Sequence, residues 1–314
     1  MARNKVLMFY NPYSGNGVFK NNLDLIIEKY QEKGYQLIPV RGSRDNRLEK
    51  FMENMNQEEY RQIIVAGGDG SINLCVNAMV KYGIDLPIAL FPSGTANDFA
   101  AYFNMPETIA GMIDVALDDC LVPADVGVVN GKCFVNVAAL GNMVDVSQKT
   151  DPHLKNAIGK IAYYITGMTE LPDVHPIKMK LTTSDKVYDE DMFFMIVMNG
   201  TSAGGFRKVS PDSEINDGLL NVILFRKMLG IEMLPVALKV LNGDHLDDHR
   251  ILTFKTDKLL IEANEKVPTD VDGEHGETLP LDFSVLHDRI MVHVPKEEKE
   301  YYERIKNQSN FGIR

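Results

Sequence analysis

The segment that most restricts this chain is the run Gln62-Ile63-Ile64-Val65-Ala66, which passes without a spacer into Gly67-Gly68-Asp69-Gly70-Ser71 and then into a helical stretch reaching Tyr82. A short unbroken apolar run bounded by glycine is the signature of a strand buried on both faces, and such strands belong to parallel sheets covered by helices. The pattern repeats on either side. Val6-Leu7-Met8-Phe9-Tyr10 precedes a helical stretch from Asn21, Tyr35 to Val40 precedes a helix near Asn46 to Met55, and Leu86 to Phe91 closes the series. Residues 5 to about 122 read as a doubly wound α/β domain.

After Pro123 the texture changes. Asp125 to Asn130, Lys132 to Leu140, Lys178 to Thr183, Met192 to Met198, Leu219 to Phe225, Ile251 to Lys255 and Lys258 to Glu262 are β-rich segments joined by turns. Asn130-Gly131 between two apolar runs is a hairpin signal, because both residues tolerate positive φ. Helical pieces interrupt near His153 to Leu171 and Lys227 to Asn242. The expected division is an α/β domain over 1–123 and a mainly antiparallel β-sandwich over 124–289, with 290–314 free to pack back on the first. Met228 to Leu241 reads as a core helix rather than a membrane-facing one, since Pro235 interrupts it and its basic residues are few.

Across 314 residues, 45% hydrophobic content with 25% charge fits a globular chain, and the net charge of −11 argues against a general nucleic-acid binder. Cys75, Cys120 and Cys133 form no CxxC pair, so a reducing, cytoplasmic setting is expected without a disulfide framework or thiolate zinc site. The run Val6 to Tyr10 stops at Asn11-Pro12, short of a signal-peptide core, and no apolar stretch approaches the roughly 20 residues that span a bilayer. Contact with a membrane would be peripheral, at its inner face.

Glycines around one carboxylate at a strand-to-helix switch let backbone amides and a helix N-terminus approach an anion such as a phosphate. Asp69 would then hold a metal bridging phosphate oxygens, since a bare carboxylate beside phosphate repels it. A tight turn in which Asp69 and Ser71 merely cap the helix is the plainer alternative. Two further turns, Asn11-Pro12-Tyr13-Ser14-Gly15-Asn16-Gly17 and Pro92-Ser93-Gly94-Thr95-Ala96-Asn97-Asp98, follow the first strand and the strand ending at Phe91. Parallel sheets bind ligands at these carboxyl ends, and three such turns together favour a nucleotide-phosphate site.

The combination resembles the diacylglycerol kinase catalytic family of soluble lipid kinases, related to sphingosine and ceramide kinases. The likeness is carried by Asn11 to Gly15, Gly67 to Ser71 and Pro92 to Ala100. It continues through Asp125-Val126-Gly127, Phe134-Val135-Asn136, Gly204-Gly205-Phe206 and Asn216 to Leu220, and ends at Val271-Asp272-Gly273-Glu274. No Walker GxxxxGK[ST] and no protein-kinase glycine loop with HRD and DFG is present. The resemblance implies ATP-dependent phosphorylation of a lipid hydroxyl, with an NAD-kinase/diacylglycerol-kinase-like α/β domain, a β-sandwich domain and an active site in the cleft between them. Its implied nucleotide site comprises Asn11, Pro12, Tyr13, Ser14, Gly15, Gly67, Gly68, Gly70, Ser71, Gly94, Thr95, Asn97 and Asp98. Asp69 would position Mg²⁺ and phosphate, and Asp272 and Glu274 would flank the acceptor hydroxyl, one as general base and one in support. In the family's bacterial members the turn matching Glu214, Asp217 and the carbonyl of Leu219 holds a structural Mg²⁺; an acidic turn before a strand is the alternative there.

A carboxylate beside Gly273 suits the chemistry, because a lipid hydroxyl needs a base as phosphate transfers; apart from the resemblance, Asp270, Asp272, Glu274 and Glu277 read more simply as a solvated acidic loop. Departures from the family pattern also stand out. Ser71 replaces a common Thr, Val40-Arg41-Gly42-Ser43 lacks the nucleotide-contacting Thr of many members, and Ala101-Tyr102 stands where Arg often follows. Two other readings compete: an NAD kinase, which shares the Gly-Gly-Asp-Gly turn, and a nucleotide- or lipid-binding regulator without turnover. The expected partners are ATP and a lipid presented at a membrane surface, with no nucleic acid. The oligomeric state stays open, a homodimer being one option.

Overall fold

The structure is a computed structural model that describes residues 3–43, 45–142, 144, 175–202, 209–210, 213–228 and 230–311. Contacts divide the chain into Met1–Ala124 with Asp288–Arg314, and Asp125–His287. The expected helix near His153 to Leu171 and the Gly204-Gly205-Phe206 motif lie outside the described residues.

In the first unit, strands β1 (Lys5–Tyr10), β2 (Gln36–Arg41), β3 (Tyr60–Gly67) and β4 (Ile88–Pro92) pair in parallel in the order β2-β1-β3-β4. Val6, Met8, Ile64, Ala66, Ala89 and Phe91 pack with Phe19, Ile26, Tyr30, Met112 and Ile113 on one face. The alternate residues Leu7, Phe9, Ile63 and Val65 are buried as well, so the sheet is covered on both faces. That double burial is why these strands read as continuous apolar runs. Helix α1 (Val18–Asn21), α2 (Leu23–Glu32), α3 (Arg47–Glu53), α4 (Asp69–Tyr82), α5 (Asp98–Tyr102) and α6 (Ile109–Leu117) connect or follow the strands. Helix α4 begins at Asp69, two residues ahead of the Ser71 start that the sequence suggests, because Gly68 serves as its extended N-cap.

The second unit is antiparallel. Strand β5 (Leu121–Val129) turns into β6 (Lys132–Phe134) through Asn130 and Gly131, both at positive φ, the conformation that a two-residue I′ turn demands. The remaining strands are β7 (Val137–Gly141), β8 (Ile177–Thr183), β9 (Val187–Met198), β10 (Leu220–Arg226), β11 (Ile251–Thr256), β12 (Lys258–Ala263), β13 (Thr269–Val271), β14 (Glu274–His275) and β15 (Leu281–His293). They run in the order β14-β13-β7-β9-β8-β12-β15, with β10 joining β9 to β11. On β8, Ile177, Met179 and Leu181 face inward while Lys178 and Lys180 face solvent, the period of two expected of a half-buried strand. Met179, Leu181, Met192, Met195, Val197, Val222, Leu259, Ile261 and Phe283 share one core.

On the opposite face of β9 and β10, Ile196, Met198 and Ile223 pack with Val236 of the helix Gly230–Asn242, as a core helix would. Lys132 to Leu140 is not one segment: β6 stops at Phe134 and β7 starts at Val137, because the intervening amides turn to a distant carboxylate. β15 has no counterpart in the apolar pattern, since Asp282, Ser284, His287 and Asp288 interrupt it. Its early residues pair with β12 and its last two, Val292 and His293, with β4. No described helix is long and apolar enough to cross a membrane.

Candidate functional site

In the first unit the turns after β1, β3 and β4 meet. The backbone leaves the sheet in step, Asn11 N donating to Ala66 O at 2.9 Å and Ser93 N to Gly67 O at 2.9 Å. Ser14 Oγ then donates to Ser93 O at 3.0 Å, and Ser93 Oγ donates to Ser14 Oγ at 2.8 Å. Gly68 and Gly94 lie so close that a Cβ on Gly94 would stand 2.7 Å from Gly68 Cα and 2.8 Å from Asn97 Oδ1. Here glycine is required by space rather than by dihedral angle. Asn97, itself at positive φ, accepts from Gly94 N at 2.7 Å and donates through Nδ2 to Gly94 O at 3.0 Å, closing that loop on itself.

Asp69 sits in the first turn of α4, and its Oδ1 accepts from Phe99 N at 3.1 Å, tying α4 to α5. Gly70 beside it is exposed and faces open space, so the N-terminal end of α4 is accessible to an anion. Asn11, Ser14, Gly15, Gly67, Gly68, Asp69, Gly70, Gly94, Asn97 and Asp98 thus belong to one cluster of turns. Thr95 is exposed in the same loop, and Asp98 and Pro12 are buried. Ser71 is buried too, packed under Gly67. Tyr13 is 79% exposed, with the Arg41 guanidinium 5.5 Å from its ring centroid. Ser93 was absent from the expected site, although it stands inside the quoted motif and links two of the turns.

In the second unit, Asp272 and Gly273 form the two-residue turn between β13 and β14, with φ of 49° and 86°. The Asp272 carboxylate reaches across the chain to accept from Val135 N at 2.7 Å, Asn136 N at 3.0 Å and Val137 N at 2.9 Å. Three amide donors stabilise the ionised carboxylate and occupy both of its oxygens. Glu274, next but one, is exposed, and its side chain has no partner among the described residues. His275 is exposed beside it.

The turn Ser213 to Leu219 is anchored by a group that sequence reasoning assigned no role. Asp125 is fully buried; its Oδ2 accepts from Gly218 N at 2.7 Å and its Oδ1 from His287 Nδ1 at 2.8 Å. The signal available was Asp125-Val126-Gly127 itself, but the histidine lies 162 positions away and left no pattern. Asp217 accepts from Leu219 N at 3.0 Å through Oδ1 and from Lys255 Nζ at 2.8 Å through Oδ2, while Glu214 is exposed. Oxygen donors of this kind suit a hard divalent cation. The Lys255 ammonium neutralises Asp217 in the present arrangement, so a metal there would take its place. Burial pushes the Cys75 thiol up to about 12, which removes it as a thiolate nucleophile.

Residues 5–129 match the diacylglycerol kinase catalytic domain, and residues 136–294 match the YegS C-terminal NAD kinase beta sandwich-like domain. Over 301 residues the chain is 32% identical to the diacylglycerol kinase of Bacillus subtilis (strain 168), covering 96% of this chain and 99% of that protein. It is 30% identical over 297 residues to the diacylglycerol kinase of Staphylococcus carnosus (strain TM300), covering 95% and 97%. A solved diacylglycerol kinase structure from Bacillus anthracis str. Sterne superposes with a TM-score of 0.72 at 23% identity, covering 94% of this chain and 98% of that one, and so shares the fold. Two domains matched in order, and relatives matched almost end to end, place the chain in the diacylglycerol kinase family of lipid kinases.

Proposed function

We propose that the chain transfers the γ-phosphate of ATP, with Mg²⁺, to the hydroxyl of diacylglycerol, giving phosphatidic acid and ADP. A lipid kinase needs a nucleotide as donor, a divalent metal and a lipid acceptor. The observation that carries the finer reading is the cluster of three turns at the carboxyl ends of β1, β3 and β4, drawn together by the Gly68 and Gly94 contact beside the open N-terminus of α4. Asn11, Ser14, Gly15, Gly68 to Gly70 and Thr95 are the proposed nucleotide contacts there. Ser71, being buried, would act by packing the turn.

In the reaction the lipid oxygen attacks the γ-phosphorus, the bond from that phosphorus to the bridging oxygen breaks, and ADP leaves. The hydroxyl proton goes to a carboxylate. Glu274 is the better base, because its side chain is exposed and uncommitted, whereas both oxygens of Asp272 are engaged by amides. Asp272 is proposed as a positioning residue that fixes the turn from which Glu274 projects. Asp69 would hold the catalytic Mg²⁺; Glu214, Asp217 and the Leu219 carbonyl would hold a structural one in exchange for Lys255. Bound metal would neutralise charge developing on the phosphate oxygens. The proposed setting is cytoplasmic, with the lipid met at the inner membrane face.

The test is phosphate transfer from labelled ATP with Mg²⁺ to diacylglycerol, monoacylglycerol, sphingosine, ceramide and NAD offered separately, the lipids in mixed micelles. Labelled phosphatidic acid, reduced about 10³-fold in Glu274→Gln, is the expected result. Labelled NADP, or another lipid phosphate in its place, would overturn the acceptor; undiminished transfer by Glu274→Gln would remove that residue as base.

A further inference from the structure

We infer that Arg41, held over the ring of Tyr13, is a phosphate-contacting cation of the nucleotide site and sets this chain's preference for a triphosphate over less charged nucleotides. This rests on the nucleotide reading proposed above and deepens it. The three turns, residues 11–17, 67–71 and 92–99, contain no lysine or arginine, while Asp69 and Asp98 add negative charge among them. A polyanion at that place needs positive charge besides a metal. Arg41 supplies it from the neighbouring strand. It is the last residue of β2 and pairs with Tyr10, so it leaves the sheet at the same end as the turn that follows β1.

Its side chain is not spent on a structural ion pair. Arg41 is exposed and has no carboxylate partner among the described residues; it lies over the Tyr13 ring with its carbon centre 5.5 Å from the centroid and donates from Nη2 to Tyr13 Oη at 3.3 Å. With one N–H donated to the Tyr13 hydroxyl, the guanidinium keeps its other donors available for the fork that matches phosphate oxygens. The placement also accounts for Tyr13. A tyrosine left 79% exposed contributes little to a core, yet this one is fixed by Tyr13 N donating to Asn11 Oδ1 at 3.0 Å and stands as a platform beside the turns.

The experiment measures affinity for ATP, ADP and adenosine by calorimetry, and KM and kcat for ATP with the best lipid acceptor, in the full chain and in Arg41→Ala, Arg41→Lys and Tyr13→Ala. Arg41→Ala should raise the KM for ATP about tenfold with kcat changed less than about twofold, as befits loss of a charge-assisted phosphate contact. The affinity loss should shrink from ATP to ADP and vanish for adenosine, Arg41→Lys should restore part of it, and Tyr13→Ala should reproduce a fraction of it. Unaltered melting curves are expected, because both side chains are exposed. An unchanged KM in Arg41→Ala, or an equal loss for adenosine, overturns the inference while the kinase reading stands. If the unaltered chain neither binds nor consumes ATP, the nucleotide reading itself falls, and this inference with it.

Discussion

The two units bring their candidate functional groups into place by opposite means. In the first, proximity of backbone does the work: glycines let the turns after β3 and β4 touch, and the hydrogen bonds run between adjacent strand ends. In the second, one side chain does it, Asp272 gathering the amides of residues 135 to 137 from far along the sequence. A site built from backbone tolerates almost any side chain except where a Cβ would intrude; a site built around one carboxylate depends on that carboxylate. Substitutions should therefore fail for different reasons in the two places.

The largest effect is expected at the clamp. Asp272→Asn retains a residue that accepts positive φ, so the turn survives, but it removes the charge facing three N–H donors and should cost about 3 kcal/mol in chemical denaturation. Glu274→Gln should leave stability within about 0.5 kcal/mol, its side chain being exposed. Equal stability losses for the two would break the distinction between a positioning carboxylate and an uncommitted one.

Next comes Gly94→Ala, whose added methyl must push against Gly68 Cα and Asn97 Oδ1. A loss of about 2 kcal/mol is expected, together with ATP affinity, whereas Gly70→Ala meets open space and should leave the melting temperature almost unchanged. Calorimetry with ATP would sharpen this further: weakened binding by Gly70→Ala at unaltered stability would locate the ligand against the α4 terminus.

A further effect, absent at neutral pH, concerns the first unit. His293 is buried, donates from Nδ1 to Asp118 O at 2.9 Å, and has no hydrogen-bond partner for Nε2; burial pushes its pKa down to about 4. The unfolded chain therefore binds the extra proton first. The stabilisation is complete above pH about 6.5 and declines as pH falls toward 4, by roughly 2.5 kcal/mol at pH 4.5. Denaturation at pH 7 and 4.5 with His293→Asn alongside checks this; an unchanged slope in the variant would assign the loss to other groups.

Much of the architecture was legible from the chain alone, since strands buried on both faces give unbroken apolar runs and the Asn130-Gly131 pair fixes its hairpin. The turn cluster was legible for the same local reason: glycines at strand ends mark where backbones approach. The Asp272 clamp, the Asp125 and His287 pair, and the contact of Arg41 with Tyr13 were not, because each joins residues remote in sequence without imposing a period on either segment. β15 carries no such signal, because Asp282, Ser284, His287 and Asp288 interrupt its apolar pattern. The gap between β6 and β7 has its cause in the clamp, which draws the amides at 135 and 136 out of strand pairing.

One consequence of the chain path concerns synthesis. The first unit begins with the earliest strands but takes Val292 and His293 of β15 as the neighbours of β4. On the ribosome, which extends the chain by about 5–20 residues each second, the first unit must wait for the whole of the second to emerge before its sheet is complete. Its β4 edge stays unpaired for that interval. The unit that starts folding first is the last to finish, and a nascent chain arrested before residue 292 would expose that edge to chaperones or to other chains.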